Sequence, residues 1–161
     1  MREGYRLRAA LLNDLEKILA MERSSPEAPQ WSEAVWRGIL ARETTASMRA
    51  VFVVENREVA ERCESVVGFV VASCLGDVAE LESVAVAEDE RRQGIGRALC
   101  LQALTWARGQ AVDVMELEVR AGSAGAKALY RSLGFVEQRR RAHYYRDPVD
   151  DAVVMALQLS R

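Results

Sequence analysis

Arg91-Arg92-Gln93-Gly94-Ile95-Gly96-Arg97 lies between an alternating run, Leu81-Glu82-Ser83-Val84-Ala85-Val86, and a long helical pattern. Two glycines at that junction allow a sharp turn and a close approach of backbone to a ligand. The helix that follows directs its unpaired N–H groups and the positive end of its dipole into the turn. A strand, a glycine turn and a helix start in that order predict an anion site, best suited to a phosphate or pyrophosphate. The competing reading is a plain glycine turn with no ligand. Two better-known phosphate loops do not fit. A dinucleotide fingerprint needs a third glycine where Leu99 stands, and a nucleoside-triphosphate loop needs Lys-Ser/Thr where Gly96 is followed by Arg97-Ala98.

Working outward, the 161 residues suit a single domain, 1–161, around one core. A net charge of −2 argues against a general nucleic-acid surface. Basic residues still gather at Arg91-Arg92 and at Arg139-Arg140-Arg141, and the second run reads as solvated surface or as a face for an acidic partner. Cys63, Cys74 and Cys100 are odd in number and lack metal-ligand spacing, which predicts reduced thiols in a cytoplasmic protein. His143 is the single histidine, so metal centres and histidine-based triads are not expected. No apolar run reaches the length of a membrane span.

The hydrophobic pattern predicts a strand at Tyr5 to Ala9 and a helix capped by Asn13-Asp14 with Leu15, Ile18, Leu19 and Met21 as its stripe. Ser32-Glu33 opens a second helix with Val35, Trp36, Ile39 and Leu40. Strands follow at Val51 to Val54, Val66 to Ala72 and Val78 to Val86, with a charged connection at Asn56 to Glu64. A helix from about Gly94 to Arg108, a strand at Val114 to Val119 and a helix at Ala124 to Leu133 come next. Phe135-Val136 and Ala152 to Leu159 give the last strands, with Arg139 to Asp150 as the loop between them. That order predicts an α/β fold with one mixed sheet and helices on both faces.

Arg91-x-x-Gly94-x-Gly96 resembles the pyrophosphate loop of the GNAT N-acetyltransferase superfamily. Leu117-Glu118-Val119-Arg120, Ala128-Leu129-Tyr130-Arg131-Ser132-Leu133-Gly134-Phe135, Tyr144-Tyr145 and Asp151 to Leu157 are similar to the RimI branch. The resemblance is clearest over 78–159 and thins to Trp31-Ser32-Glu33 in the N-terminal half. It implies a mostly antiparallel mixed sheet splayed open beside 81–86, and acetyl-CoA as co-substrate. It also implies a protein or peptide N-terminus as acceptor, the N-terminal alanine of a small-subunit ribosomal protein, with no nucleic acid or membrane involved.

An amine is protonated near neutrality, so its attack on a thioester needs a base, and the departing thiolate benefits from an acid. In the strand from Val114, Glu116 and Glu118 share the face opposite Met115, Leu117 and Val119. Glu118 is the expected base, a position the resemblance also implies. The competing reading makes it a structural ion-pair partner of Arg120 or another arginine. Glu80 and Glu82, alternating on the preceding strand, compete for the role. The resemblance gives Tyr130 the part of acid, while Ala126, Leu129, Tyr130 and Leu133 also form a plain core stripe.

By the same resemblance the pantetheine arm runs along Val84, Ala85 and Val86, where a free strand N–H meets the thioester carbonyl. Backbone of Gln93, Gly94, Ile95, Gly96 and Arg97 holds the diphosphate, with charge added by Arg92 and Arg97. The branch usually carries asparagine after Leu-Glu-Val-Arg-Ala; here Gly122-Ser123-Ala124 stands instead, and Ser123 is expected to cap a helix and offer one hydrogen bond to the cofactor. Trp31, Tyr144 and Tyr145 are the candidate acceptor contacts. Their packing alternatives are a hydrophobic staple for Trp31 and a closed core edge for the tyrosines. A GNAT enzyme for lysine or small amines, and a non-catalytic acyl-CoA-binding regulatory module, remain the alternatives.

Overall fold

The computed structural model describes residues 1–42, 48–59, 65–146 and 148–159. Strand β1 (Tyr5–Ala9) leads through a 3-10 turn, Leu12–Asp14, into α1 (Leu15–Arg23) and α2 (Glu33–Leu40). Strands β2 (Met48–Asn56), β3 (Val66–Leu75) and β4 (Val78–Val86) follow, then a 3-10 turn at Glu88–Glu90 and α3 (Ile95–Gly109). The chain ends with β5 (Val114–Arg120), α4 (Ala124–Ser132), β6 (Val136–Arg146) and β7 (Val149–Gln158). Cys63 and part of the expected 56–64 connection lie outside the described residues.

One seven-stranded sheet runs β1-β2-β3-β4-β5-β7-β6. Every neighbouring pair is antiparallel except β4 with β5. That parallel ladder covers only Val78–Glu80 against Val114–Glu116. From Leu81 onward β4 has no partner on its β5 side, and the sheet opens into the expected splayed seam.

The two sheet faces bury different helices. Leu99, Cys100, Ala103 and Tyr130, from α3 and α4, pack with Leu117, Val119 and Met155 on one face. Ile18, Leu19 and Trp36, from α1 and α2, pack with Val53, Phe69 and Val71 on the other. Gly68 seats α3 on the sheet: a Cβ there would stand 3.0 Å from Ile95 Cγ2 and 3.1 Å from Leu99 Cδ1.

β4 carries a bulge. Val71 faces Ser83 while Ala72 faces Leu81, so Glu82 is the extra residue. The alternation therefore resets: Ala79 and Leu81 face α3, and so do Val84 and Val86, whereas Ala85 faces α1. Glu80 lies on the α1 side, opposite Ala79 and Leu81.

Three local expectations are corrected. Asp14 does not cap α1 with its side chain; its carboxylate takes the Leu11 N–H and bonds from Nη1 and Nη2 of Arg8. The stretch from Arg139 is not a loop, because β6 continues to Arg146 as the outermost strand. Ser123 stands at the N-cap of α4 but its hydroxyl makes no capping bond. Ser32, by contrast, caps α2 through the Val35 N–H at 3.3 Å.

Glu22 is 1% exposed and takes the Trp31 N–H at 3.1 Å and the Trp36 indole N–H at 2.7 Å. Gln30, at φ +61°, donates to the Glu22 and Ser25 carbonyls and closes the same loop. Glu22→Ala would strand two buried donors. We expect it to lower unfolding free energy by about 3 kcal/mol, read by urea unfolding followed by tryptophan fluorescence.

Candidate active site

The glycine turn closes one end of the seam. Gly94 caps α3 at φ +81°, a conformation that strains any residue with a Cβ. Lacking a side chain, it leaves the first N–H groups of α3 uncapped; the helical ladder starts with Ala98 N–H to the Gly94 carbonyl at 3.0 Å. A Cβ on Gly96 would meet Leu129 Cδ2 at 3.7 Å and Val86 Cγ2 at 3.8 Å, ordinary contacts. Packing therefore does not demand glycine there. Gln93 Oε1 is buried without a protein partner, as expected where a ligand or water completes the contact. These features fit the diphosphate of a coenzyme.

The two flanking arginines differ from expectation in detail. Arg97 reaches across to Ser132 Oγ at 3.0 Å, which ties α3 to α4, while Arg92 is exposed at φ +61°. Val84 and Val86 turn their side chains to the α3 face and Ala85 turns to α1, so what β4 offers the seam is backbone. Ser83 Oγ, next to the bulge, is buried with no partner.

On the α1 side of the seam lies a pit of about 150 Å³ lined by Glu80, Glu116, Glu118, Arg139, Arg141 and Val154. The carboxylates sit there because β5 alternates, with Met115, Leu117 and Val119 buried in the core and the glutamates opposite. Glu118 Oε1 pairs with Arg141 at 3.3 Å. Arg120, the neighbour considered from sequence, instead donates to the Pro148 carbonyl and stacks 4.2 Å over the Tyr145 ring. Glu82 is held by Arg49 through two bonds of 2.8 and 3.0 Å, and Arg49 lies 5.7 Å from the centre of the Trp31 ring. Trp31 thus walls the α1 side, fixed by the same Glu22 that anchors Trp36.

Glu80 has no ion-pair partner among the described residues. It is exposed as a residue, yet burial of its carboxyl and the charges of Glu82, Glu118 and Glu116 raise its pKa, with Arg49 opposing. A carboxyl whose pKa is raised by folding contributes stability below its unfolded pKa and loses it as pH rises through the folded value. Glu80→Gln should therefore be more stable than the parent near neutral pH, the gain vanishing near about pH 4, as read by urea unfolding at both values.

Tyr130 is 7% exposed, packed edge-on against Phe135 at 6.0 Å. Burial, with the charges of Cys100, Glu27 and Tyr145, raises its phenol pKa well above the ordinary value. The phenol therefore does not stand ionised. The core reading of its sequence stripe holds, and the hydroxyl has no hydrogen-bond partner among the described residues. Cys100 is fully buried, its thiol pushed up to about 12, and cannot carry an acyl group as a thiolate.

Tyr144 and Tyr145 contact each other edge-on at 5.2 Å on β6 rather than in a loop. Burial and the charge of Glu118 raise the Tyr145 phenol, with Arg120 opposing. Ser123 bonds to the carboxylate of Glu27 in the α1–α2 connection, a link across the mouth of the site. Glu27 and Arg49 carried no signal in the sequence, whereas strand alternation had already put Glu116 on the Glu118 face. Arg139 and Arg141 stood out only as part of a basic run, expected in a loop as solvated surface or a face for an acidic partner; pairing of β6 with β7 instead turns them toward the pit.

Among the described residues no helix is long and apolar enough to cross a membrane, and no group of His, Cys, Asp or Glu stands ready to hold a metal ion.

Comparison with known proteins places these features in context. Ribosomal protein bS18-alanine N-acetyltransferase of Escherichia coli K12 is 43% identical over 94 residues, 57% of this chain and 64% of that protein. The chain thus spans less than two thirds of the length of that relative. An N-alpha-acetyltransferase of Sulfurisphaera tokodaii is 34% identical over 96% of this chain and 93% of its own length. The crystal structure of the Escherichia coli ribosomal-protein-S18-alanine N-acetyltransferase superposes with a TM-score of 0.78 at 30% identity, covering 98% of this chain and 95% of that one. Residues 12–135 match the acetyltransferase (GNAT) family, and with the glycine turn, the splayed seam and that full-length relative, the chain belongs to it.

Proposed function

We propose that this chain is an acetyl-CoA-dependent N-terminal acetyltransferase, and that its acceptor is a protein α-amine, best represented by the N-terminal alanine of a small-subunit ribosomal protein. The observation that carries the reading is the seam itself. β4 and β5 part beyond Glu80, with the diphosphate-type turn at one end and a carboxylate pit on the α1 face. Acetyl-CoA supplies the activated acyl group and a diphosphate handle. Gln93, Gly94, Ile95, Gly96 and Arg97 hold the handle, and the unpaired edge of β4 at Val84 to Val86 takes the pantetheine arm and polarises the carbonyl.

Glu118 takes a proton from the acceptor ammonium, freeing the nitrogen lone pair to form the new C–N bond as the C–S bond breaks. The nitrogen sheds its second proton to solvent as the amide forms, while Tyr130 donates its hydroxyl proton to the departing sulfur and is reprotonated from solvent. Glu80, the neighbouring carboxylate, is the competing base. Trp31, Tyr144 and Tyr145 wall the groove through which the acceptor enters. Ser123, taken up by Glu27, stays at the mouth of the site in place of the branch's asparagine.

The test is a set of acceptors assayed by thiol release. A peptide starting with alanine should turn over, and the same peptide with a blocked N-terminus and an internal lysine should not. Turnover of the lysine peptide alone would favour the side-chain amine reading. Coenzyme binding without release for any amine would favour a regulatory module. Tyr130→Phe is expected to lower kcat about 10- to 100-fold with little change in acetyl-CoA affinity, because the ring stays packed and only the proton is lost.

A further inference from the structure

We propose that Arg141 is a positioning residue: it holds Glu118 in the empty groove, yields that carboxylate to the incoming ammonium, and stays beside it to favour loss of the amine's proton. The inference rests on Glu118 being the base.

Arg141 makes two contacts at once: its Nη1 pairs with Glu118 Oε1 at 3.3 Å, and its guanidinium carbon lies 5.4 Å from the centre of the Tyr144 ring on the same strand, a contact that does not depend on the carboxylate. The pair is single and half-exposed, at 46% and 27% of side-chain area, so exchanging it costs little. The root of the side chain is fixed. Arg141 faces Ala152 of β7 at the last regular rung before the register break. Beyond it His143, at φ +51°, donates its N–H to Asp151 Oδ1.

The charges favour the exchange. Glu80 from β4 and Glu116 and Glu118 from β5 face Arg139 and Arg141 from β6 in the pit, while β7 supplies only Val154. Three carboxylates against two guanidiniums draw in a cation. Once the ammonium sits on Glu118, the displaced guanidinium is a like charge at close range, and its field favours the neutral amine. Tyr145, whose phenol burial and the charge of Glu118 raise, remains protonated through this exchange.

The experiment is the pH dependence of kcat for an alanine-starting peptide, with peptide and acetyl-CoA both saturating and with the full chain, because kcat reads the bound amine. Arg141→Gln should move the acid limb upward by about one pH unit, lowering kcat about ten-fold near pH 7 with recovery near pH 9.5. Arg141→Lys, which restores a cation, should return most of the shift. A uniform loss at every pH, or no change, would overturn the inference, whether or not Arg141→Gln alters Tm. Failure of the base assignment shows separately, as Glu118→Gln with parental turnover.

Discussion

Gly96→Asp is expected to weaken acetyl-CoA and CoA binding by about 100-fold while leaving the fold intact. The two halves of that statement have separate causes. The backbone at Gly96 is helical, and a Cβ there meets Leu129 and Val86 at 3.7 and 3.8 Å, so the added side chain has room. An aspartate in the first turn of α3 is also compatible with the helix dipole. The carboxylate, however, lies where a diphosphate approaches the same N–H groups. Two unit charges at about 4 Å repel by about 4 kcal/mol at the effective dielectric of a protein surface, and screening reduces this to the 100-fold expected. Gly96→Ala should fall between. Gly94→Val, by contrast, should disturb binding and stability together, because φ +81° excludes a branched side chain. Calorimetric titration with acetyl-CoA, paired with thermal unfolding, separates these effects. Parental affinity in Gly96→Asp would remove the turn from the coenzyme site and with it the proposed reaction.

Much of this architecture is legible in the chain because periodicity and glycine placement act locally. The alternation Val114 to Val119 put Glu118 on the face that the structure gives it, since a strand reverses its side chains at every residue. Ser32 opens its helix as read, and it does so as the cap because the hydroxyl acts within one turn. Ser123 stands at an equivalent position and does not, because a carboxylate 96 residues away competes for its hydroxyl. Nothing local signals such a competitor.

The bulge in β4 was hidden for a related reason. Ser83 and Ala85 are small and Val84 and Val86 apolar, so either phase of the alternation looks acceptable from Leu81 onward. β6 was hidden by its position. As the edge strand it exposes nearly every residue, and Glu137 to Arg146 has no apolar period to read. The reading of Arg139 to Arg141 as surface follows from that. Only pairing with β7, a tertiary event, turns Arg139 and Arg141 toward the pit. The sequence therefore exposed the proposed coenzyme side of the site, built from contiguous residues, better than the proposed acceptor side, which is assembled from β2, β4, β5, β6 and the α1–α2 connection.

Glu118→Gln is expected to lower kcat/KM for an alanine-starting peptide by about 1,000-fold, against less than about ten-fold for Glu80→Gln. Glutamine keeps the size of the side chain and still accepts a bond from Arg141, so the loss reports proton transfer and not collapse of the pit. Glu80 presents the stronger electrostatic case at first sight, since its pKa is raised and no cation claims it. Position argues the other way. Glu80 sits on the last rung where β4 and β5 still pair, whereas Glu118 lies two residues beyond it, within the open seam. An amine approaching β4 at Val84 to Val86 must pass through that opening, and reach precedes tuning in selecting a base. The raised pKa of Glu80 then has another origin: burial of its carboxyl first, and then the charges of Glu82, Glu118 and Glu116 on a carboxylate with no counter-ion of its own among the described residues, since Arg49 pairs with Glu82 and Arg141 with Glu118. Its removal should ease the site electrostatically and change turnover little. The double variant tests the assignment, because independent roles predict losses that multiply, while a shared proton predicts a product smaller than that. Should Glu80→Gln carry the large loss and Glu118→Gln the small one, the base belongs to β4, and Arg141 holds Glu118 as a structural partner only.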